Sequence, residues 1–241
     1  MRKLLITFSI ILLAFSVWLF PATQNTTGTV GTATASGSAT DLTSNWTIST
    51  WVYPTTVPGF QSWFSRGAAS MASGRQIQLL DNGVGKVRVN VPYIAVILDG
   101  GTPLTVNTWH SVIVTRSGNT WTIYLNGTSD GSTSNATAQE SGGPVVIGNQ
   151  PSLNAFTVFQ GRIAEIAGWS AVLSSDEIKA LAHGTPPNRI RRISLAYYWP
   201  LHTKNAGNVW AELSGGGWNA TDVSALNIAN HAPMSPPGGA N

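Results

Sequence analysis

Ten tryptophans, ten carboxylates, four histidines and no cysteine make up the chemical stock of this 241-residue chain. Without a thiol, disulfides, thiolate zinc centres, iron–sulfur clusters and cysteine nucleophiles are excluded. His110, His183, His202 and His231 are too far apart for metal-ligand or triad spacing, and no Gly-x-Ser-x-Gly or phosphate loop occurs. Glycoside hydrolysis needs two carboxylates held about 5 to 10 Å apart. The acidic residues are instead scattered: Glu165 stands alone among apolar neighbours, and Asp176 and Glu177 sit where a helix begins.

What does cluster is aromatic and amide. Trp210 and Trp218 stand among Asn205, Asn208, Glu212 and Asn219, with glycines at 215 to 217 that allow a ligand close to the backbone. Gly59-Phe60-Gln61-Ser62-Trp63 forms a smaller group of the same kind. An aromatic ring beside hydrogen-bonding loop residues suits a sugar, whose C–H face stacks while its hydroxyl rim bonds. The ligand-binding candidates are therefore Trp210, Trp218, Asn208, Glu212, Asn219 and Trp63. No cofactor is required by any of this. Calcium is the one metal with plausible hard-oxygen ligands, Asp99 in Leu98-Asp-Gly-Gly101 and Asp130 in Ser129-Asp-Gly131, although both segments also read as turns.

These residues must be held by strands. Segments at Trp46 to Tyr53, Arg75 to Leu80, Val84 to Val91, Trp109 to Arg116, Thr120 to Asn126 and Val145 to Gly148 are short, rich in β-branched and aromatic residues, and bounded by turn formers. Val87, Val89 and Val91 alternate with Lys86, Arg88 and Asn90, which predicts a half-buried antiparallel strand. Asn82-Gly83 and Asn126-Gly127 each predict a two-residue hairpin turn. One segment departs from the pattern: Ser174 to Gly184 opens on capping hydroxyls and acidic residues and ends on glycine, predicting one short helix near 174–183. The fold class expected is all-β, an antiparallel two-sheet jelly-roll sandwich.

The ends differ from the middle. Arg2 and Lys3 precede an apolar run from Leu4 to Phe20, so residues 1–22 read as a signal peptide, or as an anchor in the membrane through residues 4–20 if it is not cleaved. From Thr23 to Ser44, 17 of 22 residues are Thr, Gly, Ala or Ser, so 23–40 is expected to be a linker or an edge strand. The sandwich is placed at 41–233 and a flexible tail at 234–241. Only 10% of residues are charged, which excludes coiled coils and charge-driven disorder. The net charge of +3 includes Arg2 and Lys3, and the remainder, even with Arg189, Arg191 and Arg192 together, offers too few phosphate contacts for nucleic acid.

Several blocks resemble one family: Trp46-Thr-Ile-Ser-Thr-Trp-Val-Tyr-Pro54, Phe64-Ser-Arg-Gly67, Trp109-His-Ser-Val-Ile-Val114, Ile123-Tyr-Leu-Asn-Gly127, Gly161-Arg-Ile-Ala-Glu-Ile166 and Leu173-Ser-Ser-Asp-Glu-Ile178. In this order they are similar to laminin G-like domains of the concanavalin A-like lectin and glucanase fold. Tyr198-Trp-Pro-Leu201, Leu213-Ser-Gly215 and His231-Ala-Pro233 resemble the closing segment of its single-domain members. The resemblance implies that Trp51, Trp109 and Trp169 are buried. It also implies a recognition domain rather than an enzyme, since the Glu-x-Asp-x-x-Glu run of hydrolases with this fold is missing. Two departures stand out: the Thr/Ala/Gly segment replaces the usual first strand, and Glu212 fills the acidic position before Leu213-Ser-Gly215. The expected function is non-catalytic binding of a polysaccharide or glycoconjugate by a secreted, extracellular or cell-surface protein. The alternative is a structural subunit of a surface assembly or a virion-exposed adhesin, meeting protein partners through its sheet edges.

Overall fold

The structure, a computed structural model, describes residues 21–25, 32–35, 42, 44–57, 59–67, 75–91, 94–137, 144–150, 152, 155–205, 207–224, 227–230 and 232–234. The leader reading for residues 1–20, most of the 23–40 segment and the tail beyond Met234 lie outside them.

Among the described residues, sixteen strands and one α-helix follow in order. The strands are β1 Pro21–Asn25, β2 Thr32–Ala35, β3 Asn45–Pro54, β4 Ser62–Gly67, β5 Arg75–Asp81, β6 Lys86–Val91, β7 Ala95–Pro103, β8 His110–Ser117, β9 Thr120–Leu125, β10 Thr128–Ser134, β11 Val145–Ile147, β12 Gly161–Trp169, β13 Leu195–Trp199, β14 Val209–Trp210, β15 Ala220–Ser224 and β16 Asn227–Asn230, with α1 at Ser175–Ala182 between β12 and β13. One sheet runs β10-β9-β8-β3-β12-β1-β16, with β13 pairing the other half of β12, and the second runs β14-β15-β2-β11-β4-β5-β6-β7. The all-β antiparallel sandwich with one helix is what the alternating pattern predicts.

Between the sheets lies one core. Val87, Val89 and Val91 of β6 are fully buried while Lys86, Arg88 and Asn90 are half-buried outside, as their alternation requires. Aromatic rings fill the wider gaps: Trp46 meets Trp121 edge-on at 5.4 Å, Trp63 meets Phe159 at 5.7 Å, and Tyr197 stacks on Trp199 at 5.1 Å. In β12, Ile163 and Ile166 both face this core although they are three positions apart, an odd spacing. A bulge reconciles the spacing with a strand, since Glu165 adopts a left-handed φ of 53° and the register with β3 shifts between Ala164 and Ala167.

The helix is held by its sequence signals. Ser174 Oγ accepts the Glu177 N–H while Glu177 reaches back to the Ser174 N–H, a capping box, and Ile178 and Leu181 pack on Ile113, Ala167 and Trp169. Arg191 forks onto the Glu177 carboxylate, which lies below its usual pKa.

Two expectations need correction. The stretch at 23–40 is not simply a linker or an edge strand: β1 sits between β12 and β16, and β2 between β15 and β11, so both have neighbours on each side. Threonine is β-branched and favours extended backbone, and one of the two partners of each strand, β16 and β15, comes from the far C-terminus. The second correction concerns the turn after β5. Asn126 and Gly127 adopt φ of 51° and 81°, as a two-residue hairpin requires, but Asn82-Gly83 belongs to a four-residue loop. There the Asp81 carboxylate accepts the N–H groups of Gly83 and Gly85, and Asn82 Oδ1 accepts those of Val84 and Lys86. Burial pushes the Asp81 carboxyl above its ordinary pKa.

Candidate functional site

After β13 the chain turns back at the rim of the sandwich and builds a small structure from short loops. Asn205 organises the first loop: its Oδ1 accepts the N–H groups of Gly207 and Val209 at 2.9 and 3.1 Å, and its own N–H reaches Val209 O. Asn208, in left-handed conformation at φ 57°, closes this turn, and its carbonyl accepts the Asp222 N–H. Lys204 lies over the Trp210 ring, 5.6 Å from its centre, and its ammonium bonds Asp222 at 3.1 Å.

Glu212 organises the second loop. Its carboxylate is almost fully buried and accepts four backbone N–H groups, those of Tyr198 and Ser214 at 2.8 and 2.6 Å and those of Gly216 and Gly217 at 3.1 and 3.2 Å. The Glu212 N–H is accepted in turn by Asn219 Oδ1 at 3.0 Å. Gly217 takes a φ of 73°, and a side chain at Gly216 would collide with the Trp218 indole, so these glycines serve the turn.

Where the two loops meet, Thr203, Lys204, Asn205, Val209, Ala211 and Asn219 line an open pocket of about 260 Å³. Asn205 and Asn219 commit their amide oxygens to backbone N–H groups, which leaves the NH₂ of each as its remaining hydrogen-bonding group, and the Lys204 ammonium is held by Asp222. Val209 and Ala211 supply apolar contact.

Of the sequence candidates, the structure brings Asn219 into this pocket with Asn205 and leaves Trp218 half-buried beside it in the chain. Asn208 is exposed on the adjoining turn. Three candidates are corrected as direct contacts. Trp210 is 1% exposed and Trp63 is 0% exposed, so neither offers a ring face to a ligand. Glu212 directs both oxygens at its own loop. Large aromatics are the efficient way to fill a sandwich, and composition alone does not separate a packed indole from a presented one. Lys204 was missed, although it is the only Lys, Arg, Asp or Glu between Arg192 and Glu212.

The residues proposed for calcium are engaged elsewhere. Arg88 meets both oxygens of Asp99 at 2.7 and 2.8 Å and holds that carboxyl below its usual pKa. Asp130 accepts the Thr102 N–H, and Gly100 and Gly101 of β7 pass against it, so it joins the edges of the two sheets. Among the described residues, no group of three or more His, Asp or Glu is gathered as a metal site. Nor, among them, is any helix long and apolar enough to cross a membrane.

Comparison with solved structures places this arrangement among known sandwiches. One of them, described as a putative carbohydrate binding protein from Bacteroides ovatus, superposes with a TM-score of 0.69 at 16% identity; 90% of this chain is covered but only 62% of that one. The heptameric SAP-like pentraxin of Limulus polyphemus gives 0.57 at 14% identity, covering 90% of this chain and 96% of its own. The Ruminococcus gnavus IT-sialidase CBM40 gives 0.53 at 18% identity, covering 69% and 99%. No match was found among curated proteins. A family model covers residues 25–179, which leaves the rim loops outside the matched region. That model describes the concanavalin A-like lectin/glucanases superfamily, and this chain belongs to it.

Proposed function

We propose that the protein is an exported, non-catalytic domain that binds a polysaccharide or glycoconjugate outside the cell, and that the rim pocket takes a single sugar unit. The observation that carries this is the pocket, with two amide donors, an ammonium and two small apolar side chains. The description of the Bacteroides ovatus neighbour agrees with it. A non-catalytic role is supported by the state of two buried carboxylates, Glu165 and Glu212. Tyr198 donates its hydroxyl to Glu165 at 2.6 Å, Glu212 is enclosed by N–H groups, and neither faces a cleft. Burial, and then Glu165, hold the Tyr198 phenol well above its ordinary pKa, fixing this bond with the phenol as donor.

On a glycan array, the chain lacking residues 1–20 should retain neutral oligosaccharides. Lys204→Met and Asn219→Ala should each lower that retention about tenfold, which is about 1.4 kcal/mol. Array binding unchanged in both variants would remove the pocket from the account.

We further propose that no metal supports the fold. A ligand present at 100 times its dissociation constant stabilises by about 2.7 kcal/mol. That corresponds to a rise of roughly 5 to 10 °C for a domain of this size. Melting temperatures in chelator and in millimolar calcium should therefore agree within a degree, and a rise of this order with calcium would restore Asp99 and Asp130 as ligands.

A further inference from the structure

Among the described residues, the outer face of the first sheet is covered at one end and in its middle. α1 covers Ile113, Ala167, Trp169 and Tyr198, while Ala232, Met234 and Trp109 pack with Trp51 and Ala164. Nearer the strand ends, Arg162 of β12 pairs in register with Tyr53 of β3, and Trp109 stands just before β8, whose first residue, His110, pairs with Val52. All three are half-buried. The Trp109 and Tyr53 rings meet edge-on at 5.5 Å, and the Arg162 guanidinium lies 4.6 Å over the Tyr53 ring.

Among the described residues, Arg88 has Asp99, Arg191 has Glu177 and Lys204 has Asp222, and Arg116, stacked on Trp121, bonds the carbonyls of Gly118 and Thr137, whereas Arg162 stacks on the Tyr53 ring with no carboxylate beside it, and its enclosed Nε, like that of Arg66, has no acceptor there. A guanidinium stacked on an aromatic ring has its fork oriented in advance, and a planar carboxylate is the group that fits such a fork. Polar groups border the strip. Thr56 donates to Gln160, both side chains being exposed, and the exposed Asn107 is tied through its N–H to Pro54 O beside Tyr53.

We infer that Arg162, Tyr53 and Trp109 form a second saccharide site, selective for a sugar ring that carries a carboxylate. The ring stacks on Trp109, its carboxylate meets the Arg162 fork, and its hydroxyls reach Thr56, Gln160 and Asn107. The inference rests on the glycan-binding reading for the kind of molecule bound, and it is independent of the rim pocket.

The test is affinity electrophoresis of the chain lacking residues 1–20 in gels containing polygalacturonate or alginate, each compared with its carboxyl-reduced form. Both uronate polymers should retard the parent protein and the reduced polymers should do so at least tenfold less, a comparison that needs no variant. Arg162→Gln and Trp109→Ala should abolish uronate retardation, and Lys204→Met should keep it. Equal retardation by a polymer and its reduced form, or uronate binding unchanged in Arg162→Gln, overturns the site. So does free migration in both uronate gels. If neutral array ligands are still bound in that case, only this site fails, whereas loss of every saccharide overturns the glycan reading as well.

Discussion

Replacing Trp210 by alanine is expected to cost about 3 to 5 kcal/mol of folding stability, the range for truncating a fully buried aromatic. The indole is 1% exposed, belongs to the main core, and lies beneath the Lys204 ammonium. For a domain of this size the loss amounts to a fall in melting temperature of roughly 6 to 20 °C. Trp218→Ala should cost far less, because Trp218 is half-buried and only borders that core. Urea unfolding of the two variants beside the parent checks both values. A Trp210→Ala protein that melts with the parent but loses saccharide binding would return Trp210 to the ligand surface.

Glu212→Ala should be the second severe variant. Four backbone N–H groups, from Tyr198, Ser214, Gly216 and Gly217, lose their acceptor at once. The buried Tyr198 N–H left unsatisfied costs about 1 to 3 kcal/mol, whereas those of the exposed Gly216 and Gly217 can turn to water, so a total of about 2 kcal/mol is expected. Glutamine is a poor substitute, since one of its two terminal atoms is a donor facing donors. The N–H that Asn219 accepts belongs to the backbone of residue 212 and survives the substitution, so the pocket should loosen only as the loop around it does. Thermal unfolding and array retention measured together discriminate the roles. Parent-like stability with binding abolished would make Glu212 a ligand contact instead of the support of its loop.

The sandwich was legible where the side-chain period was clean. Val87, Val89 and Val91 alternate because β6 has one wet face, and Asn126-Gly127 marks its turn because both residues must take positive φ. The central strands β3, β8 and β12 hid their period, since α1 and the Ala232–Met234 segment bury their outer faces too. β1 and β2 were hidden for another reason: their order comes in part from β16 and β15, some two hundred residues away, and nothing in a Thr/Ala run records a distant partner.

The candidate site divides along the same line. That residues 203–219 form a polar rim could be read from its asparagines and glycines, but which tryptophan faces solvent could not. The indoles of Trp210 and Trp218 have the same chemistry, and only the pairing of β14 with β15 carries the first inward. Trp109, whose family position implies burial, is half-buried, packed against the cluster of Trp51, Ala164 and Ala232 and edge-on to Tyr53.

Backbone amide shifts of the isotope-labelled chain, titrated with the neutral oligosaccharide best retained on the array, test the central claim most directly. The account predicts saturable shifts at residues 203–211 and 218–219, around Lys204, Asn205 and Asn219, with α1 and the strip at Tyr53 unmoved. Saturable shifts confined to another part of the sandwich, or none for any retained saccharide, would contradict it.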